Sequence, residues 1–387
     1  MTGTASTRPL AGLTVLDLSR VLAGPYATQL LGDLGATVWK VERPGDGDET
    51  RAWGPPFVGG ASAYYLSVNR NKRSVALDFR DPAHRAALQR AAASADVVVE
   101  NFLPGALVPF GLDAATLRAA HPGLVVCSIT GYGQDGPYAH LPGYDAVLQG
   151  FVGLQSVTGT PEGPPLKVGV ALVDVLTGAH AAAAILAALV GRLRHGVGAH
   201  LDVALAEVGV HALVNVAQSA LSTGAPARRH GNAHPTIVPY QTFAAADGLF
   251  VLAVGNDAQW ARVCEALGEP ERARDPRWAR NPERVLHRAE VVGWLAERFA
   301  TGSRERWIEA FRAAGVPVGP VREVHEAVAD PALTQRGLVA PRTLPDGTVT
   351  PLMALPWAVD GARPPVDLSP PALGQHTEEF LATFARD

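Results

Sequence analysis

The chain has 387 residues, too many for one small core and suited to about two domains. Its 47% hydrophobic and 18% charged content describes a well-packed globular protein and excludes a disordered one. A net charge of −4 gives no basis for nucleic acid or an anionic membrane surface as the main partner, so an anionic ligand needs a local cluster of Arg and Lys.

The first 130 residues alternate strand and helix. Residues 13–18 form a short apolar strand and 26–34 a helix after the Ala-Gly-Pro turn. Residues 37–42 and 74–79 read as the second and third strands. The next helix opens at Asp81-Pro82, a cap followed by a first-turn proline. Residues 96–99 and 124–129 read as buried strands, with a helix between them that starts after Asp113. This alternation predicts a parallel sheet with helices on both faces. Ligands of such sheets lie beyond the carboxyl ends of the strands. That rule points to Glu42-Arg43, to Glu100-Asn101-Phe102 and to the stretch 130–133.

Next along the chain comes a lone carboxylate. Asp174 follows an approach, 167–173, that is small and apolar apart from Lys167 and reads as extended and buried. Its segment, 167–178, directly precedes the Ala-rich run 179–190, the best helix-forming composition in the chain. A carboxylate at a helix start is held ionised by the free amides and the macrodipole, which suits a nucleophile or base. Capping the helix is the other role open to it. The run 179–190 is too short to cross a bilayer.

The pattern changes after residue 223. Residues 240–254 predict two strands joined at Asp247-Gly248, and helices follow over 257–267, 283–300 and 303–314. A second hairpin signal stands at Pro345-Asp346-Gly347, and a short helix from about Thr377 ends the chain. Cys127 and Cys264 match no zinc or redox spacing and favour a reducing compartment. The polar N-terminus lacks the apolar core of a signal peptide, so a cytoplasmic location is expected. His230 and His234 are spaced as a helical pair but flank Gly231 and precede Pro235, so no metal site is expected. There is no G-x-G-x-x-G after the first strand, no P-loop and no nucleophile elbow. Two basic spots suit phosphates: Arg43, and the segment 69–74 with Arg70, Lys72 and Arg73. Both are also compatible with solvated turns. Trp53, Tyr64 and Tyr65 between them suit a pocket wall or ordinary core.

Taken in order, several motifs resemble one known family: Leu16-Asp-Leu-Ser-Arg-Val-Leu-Ala-Gly-Pro25, Lys40-Val-Glu-Arg-Pro-Gly45, Asn71-Lys-Arg-Ser74, Val97-Val-Val-Glu-Asn-Phe102, Gly131-Tyr-Gly-Gln-Asp-Gly-Pro137, Gly143-Tyr-Asp145, the Asp174 segment and Leu373-Gly-Gln-His-Thr377. The chain resembles the class III (CaiB/BaiF-type) CoA-transferases over nearly its whole length. The resemblance implies an α/β fold with a Rossmann-like large domain, a smaller inserted α+β domain and an interlocked homodimer. The expected boundaries are 8–222 for the large CoA-binding domain, 223–325 for the small one and 326–387 for the return to the large one.

Carried over by position, Asp174 matches the family's catalytic aspartate. Arg43, Lys72, Asn101 and Phe102 match its CoA contacts, and Trp53, Tyr64 and Tyr144 its acyl pocket. Coenzyme A enters as substrate, and no permanently bound cofactor is implied. The expected partners are acyl-CoA, small carboxylic acids and a second copy of the chain. Pro109 stands where the family often has a basic residue, so one phosphate contact is either missing or supplied from elsewhere. The segment 230–243 resembles the succinyl-CoA–glutarate branch, which implies a dicarboxylate acceptor with Arg228, Arg229 or His234 as local candidates for its distal carboxylate. The implied chemistry runs through an Asp174 anhydride and an aspartyl-CoA thioester, with oxyanions steadied by amides near Asp174 and by the 131–136 loop. Two alternatives remain. An α-methylacyl-CoA racemase needs two acid–base groups, but Tyr144 occupies the place of an imidazole. A non-catalytic CoA-binding protein needs Asp174 to be only a cap.

Overall fold

The computed structural model describes residues 7–384. They form two compact units: one contains 7–155, 167–225 and 330–384, the other 156–166 and 226–329.

In the first unit, six parallel strands form one sheet: β1 (Thr14–Asp17), β2 (Thr37–Glu42), β3 (Lys72–Ala76), β4 (Val97–Glu100), β5 (Val125–Thr130) and β6 (His200–Ala204). Their spatial order is β3-β2-β1-β4-β5-β6. The order reverses between β1 and β4, and the carboxyl ends of those two strands open the crevice where doubly wound sheets bind ligands. Alternation along each strand divides the core between the two faces. Val97 and Val99 pack with α1 (Ala23–Asp33) and the long helix Leu172–His195. Val98 packs on the other face with α2 (Pro82–Ser94) and Phe380 of the last helix, Thr377–Phe384. The helices α3 (Ala114–Ala120), α4 (Asp145–Phe151), α5 (Leu172–His195) and α6 (Leu205–His211) complete the frame around the site.

Three expectations need correction. Residues 167–172, ahead of Asp174, are neither a strand nor buried, and Val170 is 60% exposed. The Ala-rich run belongs to a 24-residue helix, α5, which is long and apolar enough on its own to cross a membrane. It packs instead against α1 through Gly178, where an added Cβ would lie 2.5 Å from the Ala23 carbonyl oxygen. That close approach sets Asp174, one turn earlier, beside the N-terminus of α1. The sixth strand has no counterpart in the sequence reading, because His200 and Asp202 interrupt its apolar pattern at the sheet edge.

The second unit is built on an antiparallel sheet of β7 (Tyr240–Ala244), β8 (Leu249–Ala253) and β9 (Val318–Pro320). The expected hairpin at Asp247-Gly248 joins β7 to β8. Phe250, Trp260, Trp294, Phe299 and Phe311 fill its core. Residues 156–166, assigned by sequence to the first segment, cluster with this unit. The Arg229 guanidinium binds the carbonyl oxygens of Ser156, Thr160 and Gly163. That side chain is a clamp on its own unit and is not free to meet a substrate carboxylate.

Candidate active site

Two cavities open at the carboxyl ends of the first unit's strands. The larger, about 570 Å³, is lined by Arg43, Asp46, Asp78, Phe79 and Arg80 among others. The smaller, about 130 Å³, is lined by Val21, Leu22, Ala23, Asn101, Gly131, Tyr144 and Asp174. Arg20, Glu49 and Phe102 stand in the walls of both.

Local structure explains why the chain can turn there. After β1 the backbone reaches Val21 with φ of 70°, a left-handed conformation that a β-branched residue adopts only under strain. Neighbours hold it in place. Asp48 accepts from the Val21 amide at 3.2 Å, Lys40 Nζ donates to the Ser19 carbonyl at 3.0 Å, and the two side chains pair at 2.8 Å. Burial opposes the charge on Asp48, but Lys40 outweighs it and brings the carboxyl down to about 2. The Asn101 side chain brackets the backbone of Arg20, donating to its carbonyl and accepting from its amide. The chain then enters α1, whose N-terminus has no side-chain cap; the Tyr26 amide bonds the Leu22 carbonyl at 2.7 Å and Pro25 has no amide hydrogen, which leaves the Ala23 and Gly24 amides at the helix start.

Asp174 lies in the first turn of α5 but does not cap it. Asp145, at the start of α4, takes that role: its Oδ1 accepts from the amides of Val173 at 2.8 Å and Asp174 at 3.3 Å. The Asp174 carboxylate accepts no hydrogen bond among the described residues. Burial, followed by the nearby Asp145 charge, raises it from an ordinary 3.8 to about 7. The expectation that the helix terminus holds it ionised is therefore reversed, because another carboxylate already occupies those amides.

The remaining site residues divide into three groups. Phe102 sits under the Arg20 guanidinium, 5.6 Å from it, and both belong to the crevice, as do Asn101, Arg43 and Tyr144. Trp53 and Tyr64 meet edge to face at 5.3 Å, but neither lines the Asp174 cleft. Tyr64 is close enough to Asp174 and Asp145 that, after burial, their charges help raise its phenol to about 12.

Lys72 corrects the reading outright. Its side chain is fully buried, with the ammonium on Asp17 at 3.1 Å, the Pro25 carbonyl at 2.8 Å and Asn69 at 3.1 Å. Every donor is spent, so it cannot reach a phosphate. Arg70 is likewise buried against Asp33. Basic composition ahead of a strand marked a structural network here. Arg80, just beyond β3, joins Arg20 and Arg43 in the wall of the larger cavity, while Pro109 lies outside it. Arg80 and Arg20 both follow strands, so the strand-end rule that selected Arg43 would also have found them. The 131–136 loop supplies less than expected, since the Gly133 amide is taken by Thr130 and the Gln134 amide by Asp202. Among the described residues, no group of three or more His, Cys, Asp or Glu is placed to hold a metal ion.

Comparison with known proteins agrees with this geometry. Residues 10–377 match the family model for CoA-transferase family III. The succinate–glutarate CoA-transferase of Agrobacterium fabrum is 44% identical, over 97% of this chain and 95% of its own. The succinyl-CoA:glutarate CoA-transferase of Homo sapiens is 43% identical, over 98% and 86%. The crystal structure of a CAIB/BAIF family protein from Brucella suis superposes with a TM-score of 0.86 at 43% identity, covering 97% of this chain and 99% of that one.

Proposed function

Since this chain belongs to CoA-transferase family III and is an enzyme that moves CoA between carboxylic acids, we propose that Asp174 is the nucleophile that carries the exchange. The observation that carries this reading is an uncapped carboxylate, raised to about 7, facing a cleft that shares Arg20, Glu49 and Phe102 with a larger cavity whose wall also holds Arg43 and Arg80. A carboxylate without hydrogen bonds is more basic and a stronger nucleophile than one spent on amides.

In the proposed sequence, the Asp174 carboxylate attacks the donor thioester and expels CoA thiolate, leaving a mixed anhydride. The thiolate attacks the Asp174 carbonyl, releases the donor acid and forms an aspartyl-CoA thioester. The acceptor carboxylate attacks that thioester, and the returning thiolate takes the acceptor acyl group and frees Asp174. Ala23, the first residue of α1, lines the same cleft as Asp174, and the free amides at that helix start would steady the oxyanions. The nucleotide of CoA would lie in the larger cavity, with Arg20, Arg43 and Arg80 toward its phosphates.

The glutarate-transferring relatives support a dicarboxylate acceptor and succinyl-CoA as donor for this chain. Exposed apolar side chains of the first unit, Leu193, Leu221 and Val214, support a homodimer. The two free cysteines support a cytoplasmic location, and the modest negative charge gives no basis for nucleic acid or an anionic membrane surface as partner. A racemase would require a second base near Asp174, and Tyr64, its phenol near 12, is a poor one. The test is to incubate the protein with succinyl-CoA and trap with hydroxylamine or borohydride, then screen acceptor acids by mass spectrometry. The expected result is a labelled peptide containing Asp174 and transfer to dicarboxylates. Exchange of the α-proton of a 2-methylacyl-CoA in deuterium oxide, without label, would replace this reading with the racemase.

A further inference from the structure

Gln149, on α4, is fully buried and stands outside the wall of the Asp174 cleft. Its amide is nonetheless saturated. Nε2 donates to Asp145 Oδ2 at 2.6 Å and to the Val170 carbonyl at 3.2 Å, and Oε1 accepts from the Val168 amide at 2.8 Å. The partners determine the orientation: a flipped amide would set NH2 against an N–H and oxygen against two acceptors. Asp145 and Gln149 are four residues apart, on one face of α4. Oδ2 of Asp145 is thus held by Gln149 while Oδ1 faces the first turn of α5. The same glutamine holds the irregular backbone at 168–170, which has no strand partner.

We propose that Gln149 is a positioning residue for Asp174. It locks Asp145 in place as the cap of α5 and ties down the entering loop, so that the Asp174 carboxylate stays free of the helix amides and turned to the cleft. This rests on Asp174 being the nucleophile. Without Gln149, Asp145 can rotate off the helix, and the freed amides of Val173 and Asp174 turn to the nearest carboxylate, Asp174 itself. A carboxylate bound by backbone amides is less basic and less nucleophilic. The charged and titratable groups around Asp174 are Asp145 on α4, Tyr64 on the helix Ala63–Val68, and Arg20, Glu49 and Tyr144 in the cleft wall.

The experiment compares wild type, Gln149→Leu and Gln149→Glu in thermal melts, steady-state kinetics across pH and hydroxylamine trapping with succinyl-CoA. Gln149→Leu should lower kcat by about 10–100-fold, the scale of a small misplacement of a reacting group, with KM for acyl-CoA within about twofold. Its acid limb should move below the wild-type limb near pH 7. Gln149→Glu, when protonated, can still donate to Asp145 and accept from Val168. When ionised, it repels Asp145. Its activity relative to wild type should therefore be higher at about pH 6 than at about pH 8. A folded Gln149→Leu with an unshifted limb would overturn the proposal, whether kcat is unchanged or falls only with melting temperature. Should Gln149→Leu not fold, a pH-independent ratio for Gln149→Glu overturns it. Trapping separates the two levels: wild type without label removes the nucleophile reading itself, whereas labelled wild type with an unshifted limb removes only the role of Gln149.

Discussion

Two aspartates in the first unit, Asp17 and Asp174, make opposite use of the same fold. Asp17, at the end of β1, is surrounded by the Lys72 ammonium at 3.1 Å, the Thr28 hydroxyl at 2.6 Å and Ser19. Burial works against its charge, but Lys72 and Lys40 outweigh burial and hold it below the usual carboxylate range. Asp174, across the α1–α5 contact, accepts no hydrogen bond among the described residues, and burial and the Asp145 charge raise its carboxyl to about 7. A carboxylate becomes framework when every lone pair is spoken for, and available for chemistry when none is. The difference lies in the neighbours, since the residue type is the same.

The largest test of this contrast removes the free carboxylate. Asp174→Asn keeps shape and hydrogen-bonding capacity, yet transfer should fall at least about 1,000-fold if covalent catalysis carries the exchange. Single-turnover acylation from succinyl-CoA measures it, and substantial residual transfer would remove Asp174 from the mechanism. Lys72 should behave in the opposite way. Lys72→Met leaves Asp17 buried and unpaired, which costs about 3–5 kcal/mol of stability. Chemical denaturation should register that loss, and a folded variant with raised KM for acyl-CoA but normal stability would restore Lys72 as a ligand.

A third test reads stability against pH. The folded state holds the Asp174 proton more tightly than the unfolded chain, whose value is near 3.8. The Asp174 contribution to stability therefore falls as pH rises from about 4 to about 7 and levels off above that. Asp174→Asn escapes this loss. It should be more stable than wild type at pH 8 by about 1–3 kcal/mol, three pKa units discounted for partial solvent access, and equal to it at about pH 4. Paired melts at the two pH values check the sign. The smallest effect belongs to the rim of the larger cavity. Arg43 pairs with Asp46 in solvent, and Arg80 is 84% exposed beside Asp78. Arg43→Ala and Arg80→Ala should each raise KM for acyl-CoA by about 3–10-fold, roughly one charge-assisted hydrogen bond partly screened by water. Wild-type KM in both would place the phosphates elsewhere.

Periodicity and turn chemistry were enough to read five of the six strands of the parallel sheet, the hairpin at Asp247-Gly248 and the last helix, because these depend on residues a few positions apart. The ordered motifs were enough to read the family, and Asp174 stood out as an acidic residue ahead of a helix-forming run. What local pattern could not supply was the partner of each charge. Asp17 and Lys72 are 55 residues apart, Asp145 and Asp174 are 29 apart, and such pairs exist only once the sheet order brings their strands and helices together. Hence Lys72 looked like a phosphate ligand and proved to be framework, while Asp174 looked like an ionised helix cap and proved to be an uncapped carboxyl near neutrality. Asp145 decided the second case by filling the amides of α5 first. A pKa is a property of surroundings, and only the tertiary structure determines what surrounds a side chain.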